Sequence, residues 1–175
     1  MNTLVVYESR FGDTALIARV IADTLREHGA AHLLAVQDAV ATDLDGRDLL
    51  VIGGPTYAHG ISPVLGRWLK GLPAATLREL PVAAFDTRYR MARFLTGSAA
   101  RVIERRLERL EARPIAPAAS FFVLGSEGPL ANGEVERAAS WARELAERWA
   151  VARSRTTQAN APRLVAAGEH WQPHP

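Results

Sequence analysis

The sequence predicts an α/β fold, a doubly wound five-stranded parallel sheet with helices on both faces. Three observations carry that expectation. Five short apolar runs, "TLVVY" (3–7), "AHLLAV" (31–36), "DLLVIGG" (48–54), "PVAAF" (81–85) and "SFFVL" (120–124), alternate with longer stretches of helical period. Most of the runs are apolar without alternation, as strands buried on both faces are. The 175 residues, 48% hydrophobic and 23% charged, have the profile of one ordinary globular domain, which buries roughly 70% of its unfolded surface.

The elements follow in order. The second run is mixed in polarity and suits a sheet edge. Between the first two runs lies "DTALIARVIADTLREHG". There Ile17, Ile21 and Leu25 recur at four-residue spacing beside Leu16 and Val20, and Gly29 reads as a stop. The same periodicity predicts helices near 62–71, 98–112 and 134–152, the last with Val135, Ala138, Ala142, Leu145 and Trp149 as its buried stripe. Segment 37–47 is too short and polar to predict a helix. Residues 1–153 are therefore expected to form the domain. Residues 154–175, with "TTQANAP" and "HWQPHP", carry no periodic pattern and are expected to form an irregular tail.

Composition narrows the chemistry. The absence of cysteine removes disulfides, thiolate nucleophiles, iron–sulfur clusters and cysteine-type zinc sites. The five histidines show no metal-ligand spacing, so no metal site is expected. No signal-like start and no membrane-spanning apolar run is present, so a cytoplasmic protein is expected. A net charge of +2, from 21 basic and 19 acidic residues, does not by itself argue for nucleic acid.

The first strand runs straight into "SRFGDT" (9–14). In an open parallel sheet, ligands sit beyond the carboxyl ends of the strands where neighbouring crossovers diverge, and this loop is such a place. Gly12 permits a turn strained for other residues, and Asp13 and Thr14 begin a helix whose free N–H groups favour an anion. Ser9 and Thr14 add hydroxyl donors. The same residues also read as an ordinary helix start with side chains capping their own backbone, which leaves Ser9 unexplained. Neither a Walker loop nor a three-glycine dinucleotide fingerprint occurs in the sequence.

With "SRFGDT" after the first strand and "GGPTYAHG" after the third, the chain resembles the flavodoxin-like family and its short-chain form. The first motif is similar to that family's Ser/Thr-x-Thr-Gly-x-Thr phosphate loop, with Phe11 in place of the usual third residue. The resemblance implies strand order 2-1-3-4-5 and FMN at the switch point between the first and third strands; neither is read from this sequence. It also implies Ser9, Arg10, Phe11, Gly12, Asp13 and Thr14 at the phosphate. The second loop, "GGPTYAHGISP" (53–63), lies across a gap from the first. Pro55 and Gly60 shape it, and Thr56 and Tyr57 present a hydroxyl and an aromatic face. By resemblance, Tyr57, Ala58 and His59 are its ring contacts. The third loop, expected from residue 85 to 100, departs from the family: Asp86, Thr87, Arg88 and Tyr89 could serve, but no glycine precedes Gly97. Arg88, Arg90 and Arg93 crowd it and suit an anionic reduced ring or a phosphorylated partner. The loop "GSEGPLANGE" (125–134) is expected as a rim.

The resemblance implies an FMN-binding redox protein, for electron transfer or flavin-dependent oxidoreduction. Its partner is a redox protein or a small electron acceptor, with NAD(P)H as a candidate donor. The pI near 9.5 departs from the acidity of carrier flavodoxins. Two enzymatic alternatives share the fold: an NAD(P)H-dependent quinone or flavin reductase, and a protoporphyrinogen-oxidising flavoprotein. A flavin-free regulatory module is the alternative from another class. Nucleic-acid binding through the arginine-rich stretch 101–113 is disfavoured, because interleaved Glu104, Glu108 and Glu111 fit a solvated amphipathic helix.

Overall fold

In the computed structural model, which describes residues 1–159, the apolar runs become a parallel sheet. Its strands are β1 (Asn2–Tyr7), β2 (Ala30–Ala35), β3 (Leu49–Pro55), β4 (Pro81–Tyr89), β5 (Arg113–Pro114) and β6 (Ala119–Val123). The order is β2-β1-β3-β4-β5, with β6 also on β4. Asp86 and Thr87 pair with Gly54 and Pro55 of β3 on one side and with Ser120 and Phe121 of β6 on the other. Val82 likewise lies between Leu50 and Pro114. β5 and β6 are thus two pieces of one fifth position, and the expected doubly wound order holds.

Alternation along the strands divides the core into two. Leu4, Val6, Leu50 and Ile52 face one side, with Leu65 and Leu69 of α2 (Pro63–Lys70) and Ile103 and Leu107 of α5 (Ala99–Arg109). Val5, Leu49 and Val51 face the other, with Ile17, Ile21 and Leu25 of α1 (Asp13–Arg26) and Ala138, Ala142 and Leu145 of α6 (Glu134–Ala159). This period-two division is what a sheet covered on both faces requires. On the second face Phe85, Phe121 and Trp141 meet edge to face, with centroids 6.0 to 6.2 Å apart. β2 is partly exposed, as an edge strand is.

Several boundaries differ from the sequence expectation. β4 continues four residues past Phe85, so Asp86, Thr87, Arg88 and Tyr89 are strand and not loop. Their polarity hides a strand whose side chains find internal partners. The fifth position is broken between Pro114 and Ala119, and the break is pinned by Glu104, whose Oε1 accepts the Ala118 N–H at 3.0 Å. Segment 37–47 holds a short 3₁₀ turn at Ala41–Leu44. Two single-turn helices, α3 (Ala74–Leu77) and α4 (Arg93–Thr96), were also not expected. α6 runs to Ala159, beyond the expected end at 152; the remainder of the expected tail, 160–175, lies outside the described residues. Among the described residues no helix is long and apolar enough to cross a membrane.

Candidate functional site

At the carboxyl end of β1 the chain turns through Gly12, whose φ of 104° lies in the left-handed region that glycine tolerates best. Ser9 Oγ accepts the Gly12 N–H at 3.1 Å, which gives Ser9 its role at the turn. No side chain caps α1. Its first backbone bond is donated by Leu16 to the Gly12 carbonyl at 2.9 Å, so the N–H groups of Asp13, Thr14 and Ala15 precede the helical ladder. The ordinary self-capped start is therefore absent here. Thr14 directs its hydroxyl to Thr87 instead, 2.7 Å away and buried. The Asp13 carboxylate packs against Gly128 of the loop 125–134.

The second loop makes a tight turn in which Tyr57 and Gly60 exchange both backbone hydrogen bonds, at 2.9 and 2.7 Å. A two-residue turn of this hand needs positive φ at both central positions, and Ala58 (42°) and His59 (69°) supply it without glycine. For L-residues that conformation costs roughly 1–2 kcal/mol each. A bridge from His59 to Gly97 holds the turn. Gly97 has φ 71°, and a Cβ there would overlap the His59 carbonyl. Thr56 does not offer its hydroxyl outward: Oγ1 donates to Asp86 Oδ2 at 3.1 Å and accepts the Ala99 N–H at 3.0 Å.

The end of β4 places its expected site residues unevenly. Asp86 is fully buried. Its Oδ2 accepts from Ser98 Oγ (2.6 Å), the Ala100 N–H (3.0 Å) and Thr56 Oγ1, while Oδ1 has no partner in the structure. It ties the second loop to the start of α5 and does not line the open cavity. Arg88 is buried and braces the third loop. Its Nε donates to Ser120 Oγ (3.2 Å), and its Nη1 donates to the Met91 carbonyl and to Thr96 Oγ1 (both 2.9 Å). Burial pulls the Arg88 pKa below the ordinary arginine value; Asp86 opposes that shift and Arg93 adds to it. Tyr89 is exposed at the strand end.

These loops enclose a cavity of about 400 Å³. From the first loop it is lined by Arg10, Phe11, Asp13 and Thr14, from the second by residues 55–59, and from β4 by Thr87, Arg88 and Tyr89. Ser9, Gly12, Gly60 and Asp86 stand behind it as turn and scaffold. Leu95, Thr96, Val123, Gly125 and Ser126 complete it. Gly125 and Ser126 belong to the expected rim; the other three were missed, although the apolar "FL" inside an otherwise cationic stretch was a signal for Leu95. Phe11, Tyr57 and Tyr89 leave between 40% and 50% of their surface exposed around the opening. Uncapped helix N–H groups at one end and broad apolar walls at the other suit a planar aromatic ligand that carries a phosphate.

Comparison with known proteins agrees with this layout. A family model described as a flavodoxin domain matches residues 4–94, a span that includes the first two loops and ends within the third. Among curated proteins none matches the chain. Of the solved structures, the chain is similar to a flavodoxin from the domain Archaea (15% identity, 86% of this chain and 99% of that chain covered, TM-score 0.73). It is similar to oxidised Flavodoxin 2 from Bacillus cereus (20% identity, 85% and 99% covered, TM-score 0.72). It is also similar to the flavodiiron protein from Giardia intestinalis (18% identity, TM-score 0.70), covering 88% of this chain but 37% of that one. At such identities the structural likeness is one of fold.

Proposed function

Because the chain belongs to the flavodoxin family, whose cofactor is FMN, we propose that it is a redox protein that binds FMN in the cavity at the carboxyl ends of β1, β3 and β4. The observation that carries this reading is the uncapped start of α1 opening on a cavity ringed by exposed aromatic side chains. On this reading the N–H groups of Asp13, Thr14 and Ala15 and one threonine hydroxyl hold the phosphate, largely as neutral donors beside the helix dipole. Tyr57, Tyr89 and Phe11 supply flat apolar surface to the ring and exclude water from it. Arg88, fixed by its hydrogen bonds, keeps a positive charge in the wall and favours an anionic form of whatever lies against it. When bound, FMN supplies one- and two-electron transfer.

The basic pI favours a reductase of a small acceptor over a carrier that docks by an acidic face. The visible spectrum of the purified protein, before and after FMN is added and then with NADPH under anaerobic conditions, tests both levels. Stoichiometric retention of flavin supports the binding reading, and protein that takes up no FMN on reconstitution overturns it. Bleaching by NADPH supports the reductase reading; bleaching by dithionite alone favours a carrier or an oxidase with its own donor.

A further inference from the structure

Residues 89–95, "YRMARFL", are exposed without interruption at the mouth of the cavity. Phe94 is 86% exposed, Met91 and Leu95 are each 52% exposed, and α4 contains no buried residue. Leu124, 69% exposed, follows Val123 of the cavity wall at the same end of the sheet. Other exposed apolar side chains, such as Leu16, Val40 and Val151, are far apart in sequence, whereas Met91, Phe94 and Leu95 fall within five residues and Phe94 is the most exposed of all. Arginine is interleaved with this cluster. Arg93 and Arg10 are exposed and, among the described residues, make no ion pair. Arg90 stacks 5.0 Å above Phe122 and lies 3.6 Å from Glu134 Oε1, with 71% of its side chain exposed.

From this we infer that the 89–95 segment docks the protein on an anionic lipid surface, with Phe94, Met91 and Leu95 entering the headgroup boundary while Arg93, Arg90 and Arg10 meet lipid phosphates. A projecting aliphatic and aromatic tip flanked by cations is the composition of interfacial anchors, in which apolar burial and electrostatic attraction act together. The exposed apolar side chains sit on one single-turn helix and its flanks, a narrow tip and not the broad complementary face of a stable protein interface. The arginines choose the sign of the surface. Phe94, Met91, Arg90 and Arg93 do not line the cavity, whereas Leu95 and Arg10 stand on its rim, so the FMN-saturated protein is the form that decides.

Sedimentation of the full chain with phosphatidylcholine vesicles, with and without phosphatidylglycerol, tests the inference, using both FMN-saturated and as-purified protein. Binding to the anionic vesicles is expected, and it weakens as salt is added. Phe94→Ser is expected to lower the partition about tenfold and Arg93→Gln several-fold, whereas Val151→Ser, at an exposed valine on α6, changes nothing. Circular dichroism confirms that each variant is folded. No sedimentation with anionic vesicles at low salt overturns the inference, as does sedimentation unchanged by Phe94→Ser. So does binding confined to flavin-free protein, because the apolar tip would then be covering the cofactor. Capture by an acidic soluble protein in place of vesicles overturns it too.

Discussion

The hydroxyls of Thr14 and Thr87 lie 2.7 Å apart and buried, joining the first turn of α1 to the end of β4 across the floor of the cavity. Each hydroxyl carries one proton, and the pair consumes only one of them. The other remains available to a ligand, with its direction set by the pair. Thr14→Val removes the hydroxyl closest in sequence to the free helix N–H groups and is expected to weaken FMN binding about tenfold. Thr87→Val leaves that hydroxyl in place but unpaired, and is expected to weaken binding by a smaller factor, near what one neutral hydrogen bond of about 1 kcal/mol provides. Fluorescence titration of FMN with the two variants checks the order of the two effects.

Asp86 separates a scaffold role from a ligand role. All the hydrogen bonds to its carboxyl converge on Oδ2, while Oδ1 has no partner in the structure. An asparagine with its oxygen in the Oδ2 position keeps those bonds but leaves its amide N–H groups at the unpartnered Oδ1 position, so Asp86→Asn is expected to cost about 1–2 kcal/mol and to retain FMN. Asp86→Ala strands three buried donors and is expected to cost about 3 kcal/mol. Urea unfolding of the two variants, with FMN titration of Asp86→Asn, gives the answer. A folded Asp86→Asn protein that loses FMN would assign the residue to the ligand after all.

The sheet and the first site loop were legible in the sequence for the same reason: their residues do one thing each. β1 and β3 are apolar because both faces are covered, the α1 stripe repeats at helical spacing, and Gly12 stands where the backbone must turn. The second half of β4 was illegible because Asp86, Thr87 and Arg88 are polar, and their burial is satisfied in large part by partners on other elements: Ser98, Thr14 and Ser120. β5 escaped notice because two residues carry no period. Leu95, Thr96 and Val123 reach the cavity through the bracing of the third loop and the pairing of β6 with β4, which no local pattern encodes.

Arg88 anchors that third loop by a fork of donors, to Ser120 through Nε and to Met91 and Thr96 through Nη1. Lysine keeps the charge but has a single compact donor group and cannot span the same partners. Arg88→Lys is therefore expected to loosen residues 89–97 while leaving the sheet intact. Hydrogen exchange should accelerate in that segment and not in β1 or β3, with a loss of global stability of about 1–3 kcal/mol. Uniform acceleration across the sheet would show instead that Arg88 supports the β4–β6 pairing as a whole.

Gly97, with Gly46 as a reference glycine of positive φ away from the site, tests how the second and third loops depend on each other. Both have positive φ, 71° and 69°, but Gly97 also has ψ −168°, a region essentially confined to glycine, so alanine meets the larger backbone cost there. Their surroundings differ. A Cβ at Gly46 meets nothing within 4 Å, whereas one at Gly97 would overlap the His59 carbonyl and prise the Tyr57–Gly60 turn away from the third loop. Gly46→Ala is thus expected to lower stability by the backbone cost alone and to leave FMN affinity unchanged. Gly97→Ala adds a backbone overlap that only movement of the loops relieves, and it is expected to weaken FMN binding tenfold or more. The excess over Gly46→Ala in FMN titration, with both variants first matched by urea unfolding, measures how far cavity geometry depends on the His59–Gly97 contact. Equal affinities in the two variants would mean that the second loop holds its shape without the third.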